Sequence, residues 1–340
     1  MATYLGYPFD AELFSYNWKN EPDLTLTAMY QSGAVQENGE IANLISTGGD
    51  YYTIPFYKLI GGEPVNYDGK TDIVPTEPGG ATQSGIVFGR ANAWKERDFI
   101  VDYNSGADPM RQITSQVAKY WMKQRQKWML GIMNGVFGVT GEGDFAGWAD
   151  HTYDISASGT TVSDANKFGA TTAAEAAQKA SGDNSGIYTM AFMHSRVAAN
   201  LAGLKLMEFQ KYTDANGITR PLQIGYINGM LVIVDDGAPY TAADTAAEKY
   251  TTYLMGPGAI QHASAPVKVP VEIAREALIQ GGYDVLVTRL RETMHPNGFS
   301  FTKPSGYEGS PKAEQLSDTA NWEIVTNPKN IAMARIITNG

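Results

Sequence analysis

Residues 61–80 read GGEPVNYDGKTDIVPTEPGG, a stretch dense in Gly, Pro, Asp and Asn between two segments that look like strands. Hairpin loops in compact domains close in about two to five residues, and a connection beyond about 12 to 15 without structure of its own is functional or disordered. The flanking segments, YYTIPFYKLI (51–60) and GIVFGRANAWKERDFIV (85–101), are rich in β-branched and aromatic residues, as strands are. Pro55 has no N–H to give to a ladder, so its strand belongs at an edge or in a two-stranded ribbon. Alternation along the second segment sends Lys95 and Arg97 to one face and Glu96 and Asp98 to the other, so neither face is a dry core. A ribbon with charge on both faces, strands of roughly 30 Å and a long polar tip is expected to project. An isolated hairpin is marginal in water, so a projecting one implies another molecule that completes it. A mobile surface loop is the competing reading.

Downstream, DPMRQITSQVAKYWMKQRQKWMLGIMNG predicts a helix over 108–134, about 40 Å long. Asp108 suits the N-cap and Pro109 the first helical position, while Met110, Ile113, Val117, Tyr120, Trp121, Trp128 and Ile132 recur at three- and four-residue steps. Arg111, Lys119, Lys123, Arg125 and Lys127 populate much of the remaining surface, and no acid stands between Arg111 and Gly141. Such a basic face serves nucleic acid, acidic partner segments or solvent alone.

The chain as a whole is acidic. Its 340 residues carry 26 Lys and Arg against 36 Asp and Glu, a formal charge of -10, which argues against a broad grip on phosphate backbones. There is no cysteine, so disulfides, thiolate zinc sites and cysteine nucleophiles are excluded together. The start shows no basic stretch followed by an apolar core, and no segment reaches about 18 uninterrupted apolar residues, so neither secretion nor membrane insertion is signalled. The aromatics of MATYLGYPFDAELFSYNW, among them Tyr7, Phe9, Phe14 and Trp18, predict an arm that packs on a neighbouring subunit or on its own domain.

The remainder alternates strands with short helices. TTAAEAAQKAS reads as a helix, IYTMAFMH as a strand, and SRVAANLAGLKLMEFQ as a helix capped by Ser195 with Val197, Leu201 and Leu204 on one side. GYINGMLVIVDD and KYTTYLMGPGAI follow as strands. In VKVPVEI, Val267, Val269, Val271 and Ile273 face one way; YDVLVTRLRET and GFSFT form a hairpin around HPNG, and WEIVTNPKNIAMARIIT supplies closing strands. The layout is α+β without a βαβ rhythm.

Chemistry is sparse. His151, His194, His262 and His295 are far apart, and none has a metal-ligand spacing such as HExxH. His194, Ser195 and Asp235 can be drawn as a triad, but the GxSxG elbow is missing. Asp235 and Asp236, ending an apolar strand before GAPY, read as a turn cap ahead of a metal site. DANG at 214–217 has no acidic continuation for a calcium loop, and GEGDFAG at 141–147 has the wrong spacing for a dinucleotide fingerprint. No catalytic, metal or cofactor site is expected.

The order of parts resembles the HK97-fold major capsid proteins of tailed bacteriophages over nearly the whole chain. Locally, YYTIPFYKLIGGEPVNYDG, FMHSRVA, MLVIVDDGAPY, YLMGPGAI and HPNGFSF look like segments of coat proteins from one branch of that family, in the family's order. The resemblance implies an N-terminal arm over 1–49, an extended E-loop over 50–101, a first P-domain part over 102–179 holding the spine helix, an A-domain over about 180–258, and a second P-domain part over 259–340. It implies a structural subunit, not an enzyme, that self-assembles into hexamers and pentamers with trimer contacts between capsomers, enclosing double-stranded DNA held by proximity without sequence specificity. The alternative is an encapsulin-like nanocompartment shell of the same fold.

On this resemblance the E-loop contacts fall to Glu63, Pro64, Tyr67, Asp68, Lys70, Asp72, Glu77, Arg90, Lys95, Glu96, Arg97 and Asp98. Those of the arm fall to Tyr7, Phe9, Phe14 and Trp18, and the basic spine face to Arg111, Lys119, Lys123 and Lys127. Only about fifty residues precede the hairpin, so a separate scaffolding protein is expected, with a portal. Assembly in the host cytoplasm and a place in the virion, away from any membrane, are implied. Cross-linking through Lys and Asn, found in some members, has no motif to align; Lys70 qualifies by position alone.

Overall fold

The computed structural model describes residues 2–4, 7–9, 33–57, 63–72, 79–97, 109–213, 219–242, 247–279 and 281–340. Strands β1 (Ala2–Tyr4) and β2 (Tyr7–Phe9) pair antiparallel at the start. Phe14, Trp18, Glu77, Asp98 and Asp108 fall outside the described residues.

The chain then enters the body through β3 (Val35–Glu37) and α1 (Gly39–Ser46), whose N-cap Asn38 accepts from the backbone N–H of Glu40 and Ile41. Ile41 and Ile45 pack with Tyr52, Val87, Ala263 and Ala265 in a small core of their own. The segment expected to end an arm at residue 49 is therefore part of the body from residue 33 onward. Its Gly/Asn punctuation hides a single turn of strand and a two-turn helix.

Next come β4 (Tyr51–Tyr57), β5 (Gly80–Ile86) and β6 (Phe88–Arg97). The hairpin is real, but its returning strand is β5, which pairs with β4 from Tyr51 opposite Ile86 to Tyr57 opposite Gly80. Residues 88–97, read above as the second ribbon strand, instead pair along their whole length with residues 283–292. Strand propensity locates an extended segment and leaves its partner open. Pro55 does lie in a two-stranded sheet.

Helix α2 (Pro109–Gly138) is 30 residues, about 45 Å. It runs one turn past the expected end because Gly135 is no terminator there. A Cβ at Gly135 would lie 3.0 Å from the backbone of Ser317, so glycine lets α5 (described below) approach. Val117, Trp121, Trp128, Ile132 and Met133 are buried along one face, as the spacing predicts.

Beyond α2 the chain builds a mixed sheet from β7 (Thr152–Asp154), β8 (Met190–Met193), β9 (Glu208–Thr213), β10 (Thr219–Ile227), β11 (Met230–Val234), β12 (Tyr240–Thr241), β13 (Lys249–Met255) and the last strand, Met333–Thr338. Helices α3 (Thr172–Ser181) and α4 (Ser195–Gly203) cover one face over Ala191, Met193, Val232, Leu254 and Ile336. The opposite face, with Phe192, Ile233, Tyr253 and Met333, joins the core under α2. Burial on both faces explains why MLVIV has no polar alternation. Within GYINGMLVIVDD, Asn228 and Gly229 both have positive φ, so the stretch is two strands joined by a tight turn. Leu204, expected on the buried side of the helix after Ser195, is 55% exposed because α4 stops at Gly203.

The second sheet is built on one long strand. β14 (Ile260–Ala265) and β15 (Val271–Glu276) flank one side of β16 (Tyr283–Pro296), and β6 flanks the other. The alternation read in VKVPVEI holds only from Val271; Val269 lies before the strand and is exposed. β17 (Phe299–Phe301) pairs with β18 (Trp322–Ile324), not back onto β16, with α5 (Ala313–Ser317) between them and β19 (Met333–Thr338) closing the chain.

Alternate residues of β16 face α2. Leu286, Leu290 and Met294 join its apolar face, and the two polar ones are matched across the contact. Trp121 Nε1 donates to Thr288 Oγ1 at 3.1 Å, and Arg125 Nε to the buried Glu292 Oε2 at 2.8 Å. Burial alone would raise the Glu292 carboxyl; the His262 hydrogen bond and the Arg125 charge outweigh it and hold it below the ordinary value.

Val117→Asp buries an unpaired carboxylate in this contact, at a cost of several kcal/mol, and the variant is expected to be unfolded by circular dichroism; unchanged melting would refute the buried-face assignment. Burial depresses His295 from 6.5 to about 4. The neutral ring is favoured on folding, so this stability is complete above pH 6.5 and is lost as the pH falls toward 4, with the Glu292 contribution following below its ordinary value. Urea unfolding across that range is expected to show the loss in the native chain and a flatter profile in His295→Gln.

Candidate assembly interface

The hairpin is fixed at its base and free at its tip. Tyr52 is buried, its hydroxyl 3.1 Å from Thr293 Oγ1. Gly85 lies under the Tyr52 ring, where any Cβ would collide with it. Tyr51 Oη donates to the Phe301 carbonyl at 3.0 Å, and the Ser84 N–H to Ser300 Oγ at 3.0 Å. Burial then fades along both strands: Gln83 to Ile86 are buried, whereas Tyr57 is 87% exposed.

Residues 63–72 are all exposed, with Tyr67 at 95%. This tip has local order. Asp68 Oδ1 accepts from the N–H of Lys70 at 2.8 Å and of Thr71 at 2.7 Å, and Oδ2 from Thr71 Oγ1 at 2.9 Å. These bonds hold the Asp68 carboxyl below its usual value, first through the Lys70 N–H. Glu63, Pro64, Tyr67, Lys70 and Asp72 surround the turn with side chains in solvent.

Of the other residues assigned to the loop, Arg90 is an internal clamp. Its guanidinium donates to the Pro311 carbonyl at 2.7 Å and to Ser310 Oγ at 3.2 Å, and lies 5.2 Å from the Phe88 ring centroid. Lys95 sits over the Tyr283 ring within the β6–β16 pair, and Glu96 and Arg97 belong to the same strand. These four residues therefore belong to the body's sheet and not to the ribbon. The charged alternation of KERD marks an exposed sheet edge, a pattern that a free ribbon shares.

On α2, Lys119, Lys123 and Lys127 are exposed, and Arg125 turns inward to Glu292. Arg111 lies in the first turn. Lys123 and Lys127 line a groove of about 940 Å3 between α2 and the turn that follows β11, where Asp236, Pro239 and Tyr240 stand opposite. Sequence reasoning missed this groove, because it joins residues about a hundred positions apart.

The triad is not assembled. His194, not Ser195, caps α4, its Nδ1 accepting from the Arg196 N–H at 3.1 Å. Its Nε2 is 3.8 Å from Asp236 Oδ1, and Ser195 hydrogen-bonds Asp236, which lowers that carboxyl. Asp235 turns away to cap the Gly237 N–H. His151 is stacked on Trp148 and hydrogen-bonded to the Met333 carbonyl. Among the described residues no cluster of His, Asp and Glu is placed to hold a metal ion, and no helix is long and apolar enough to cross a membrane.

No family model matches the chain. A major capsid protein of Bacillus phage SPP1 is 32% identical over 312 residues, spanning 91% of this chain and 90% of that protein. Among solved structures, the fold is similar to the capsid of Ralstonia phage GP4, at 11% identity and a TM-score of 0.53 over 90% of this chain and 87% of that one. It is also similar to the capsid asymmetric unit of cyanophage Pam1, at 14% identity and a TM-score of 0.51 over 86% and 85%. At such identities the two structures bear on fold alone.

Proposed function

The chain belongs to the bacteriophage major capsid proteins and is a structural, non-enzymatic subunit of a viral shell; from that premise we propose that its hairpin is the strap by which one copy grips the next. One observation carries the reading: the base of the hairpin is buried and hydrogen-bonded to the body, while every described residue of the tip faces solvent. An exposed ribbon with an ordered turn and a bare tyrosine gains stability when a partner covers it. A strap extended from one surface to a different surface of the next copy is a heterologous contact, which closes into rings. Many such contacts, each worth a few kcal/mol, hold a shell together through repetition.

In this reading residues 50–86 form the E-loop of an HK97-like subunit, and α2 is its spine. The sheet centred on β16 is the P-domain, and the sheet between α3, α4 and α2 the A-domain near the capsomer centre. β1 and β2, with Tyr7 and Phe9, belong to an N-terminal arm. Rings of six and five would build an icosahedral shell around double-stranded DNA in the host cytoplasm, with trimer contacts between capsomers and help from a separate scaffolding protein and a portal. The acidic chain limits adhesion to the enclosed genome. A cellular nanocompartment is not favoured, since the relative that spans the chain is a phage capsid protein.

Replacing residues 63–72 by two glycines is expected to leave folding and melting unchanged while abolishing shells in negative-stain electron microscopy. Normal shells from that variant would defeat the strap.

A further inference from the structure

The groove beside α2 has two walls of opposite charge. Lys123 and Lys127 stand one helical turn apart, about 6 Å along the axis, both exposed, and neither makes an ion pair among the described residues. Across the groove the Asp236 side chain is 75% exposed, and its carboxyl is kept ionised by the Ser195 hydrogen bond. Between the walls Leu130 and Pro239 give an apolar floor, with Tyr240 at its edge.

The hairpin tip carries the matching pattern. Asp68 is consumed by the turn, but Glu63, Lys70 and Asp72 are exposed and without an ion-pair partner among the described residues, and Tyr67 stands bare between them. Two acids bracket one base on the tip, and two bases face one acid in the groove. The tip does not enter the groove of its own chain, since all ten of its residues are in solvent.

We infer that the groove receives the hairpin tip of a second copy of this chain, Glu63 and Asp72 meeting Lys123 and Lys127, Lys70 meeting Asp236, and the Tyr67 ring lying on Leu130 and Pro239. The inference rests on the strap reading and names the surface that the strap grips. Each copy then gives one tip and offers one groove, as a head-to-tail ring requires. A nucleic acid is a poorer occupant, because Asp236 would oppose a phosphate backbone laid along the lysines. Charge matching of this kind sets the register of a contact and rejects mispaired surfaces.

The test exchanges the charges. Glu63→Lys/Asp72→Lys and Lys123→Glu/Lys127→Glu are each expected to keep the native melting profile and to associate at least ~10-fold more weakly in sedimentation velocity. Mixed one to one, the two variants are expected to recover association, because alternating copies restore every tip-to-groove pairing. A silent groove variant, or a mixture that stays dissociated, would overturn the inference. If the groove variant is silent while loss of residues 63–72 still abolishes assembly, the groove is wrong and the strap stands. If that loss is itself tolerated, the strap falls first. Loss of double-stranded DNA binding by the groove variant with assembly intact would assign the lysines to nucleic acid and also overturn it.

Discussion

Tyr52 is the side chain on which the projecting hairpin depends. Its ring fills a slot that only glycine at position 85 leaves open, its hydroxyl meets Thr293 on β16, and its edge contacts His295 at a centroid distance of 6.1 Å. A two-stranded sheet cannot bury both of its faces, so its stability comes from its end in the body or from whatever covers the rest. Tyr52 secures the first. Nothing in one chain provides the second, and that imbalance makes the subunit an assembling one.

The same strand that receives Tyr52 organises the rest. β16 presents Leu286, Leu290 and Met294 to α2 and Thr293 and His295 toward the hairpin base and α1, so the long helix, the strap and the entry segment share one element. Its polar residues facing α2 are each answered, Thr288 by Trp121 and Glu292 by Arg125. A buried carboxylate contributes little net stability, but removing its partner is costly, so the pair sets the position of α2 along β16 more than it adds to stability. The basic helix in an acidic chain is thus divided: Arg125 registers the helix, and Lys123 and Lys127 remain for a partner.

Legibility in the sequence followed the range of the physics. α2 was readable because its periodicity is local and long, and its extra turn was hidden because Gly135 serves a contact with Ser317 that lies far along the chain. The tip was readable because Gly, Pro and Asp mark turns wherever they fall. The returning strand was not: GATQSGI carries a weaker strand signal than FGRANAWKER, although the weaker segment pairs with β4 and the stronger with β16. Arg90 read as a surface charge until its guanidinium was found on Ser310 and Pro311. Pairing and burial across two hundred residues are tertiary facts. The five stretches that resembled coat proteins anticipated the capsid relationship, which the 32% identity over 91% of the chain establishes.

The most direct test of an incomplete hairpin is the solvent exposure of Tyr67, 95% in the free chain. Hydroxyl-radical footprinting can compare the isolated subunit with purified shells. The account predicts that modification of Tyr67 falls several-fold on assembly, as a neighbouring copy covers the ring. A rate that is the same in shells and in free subunits would contradict it.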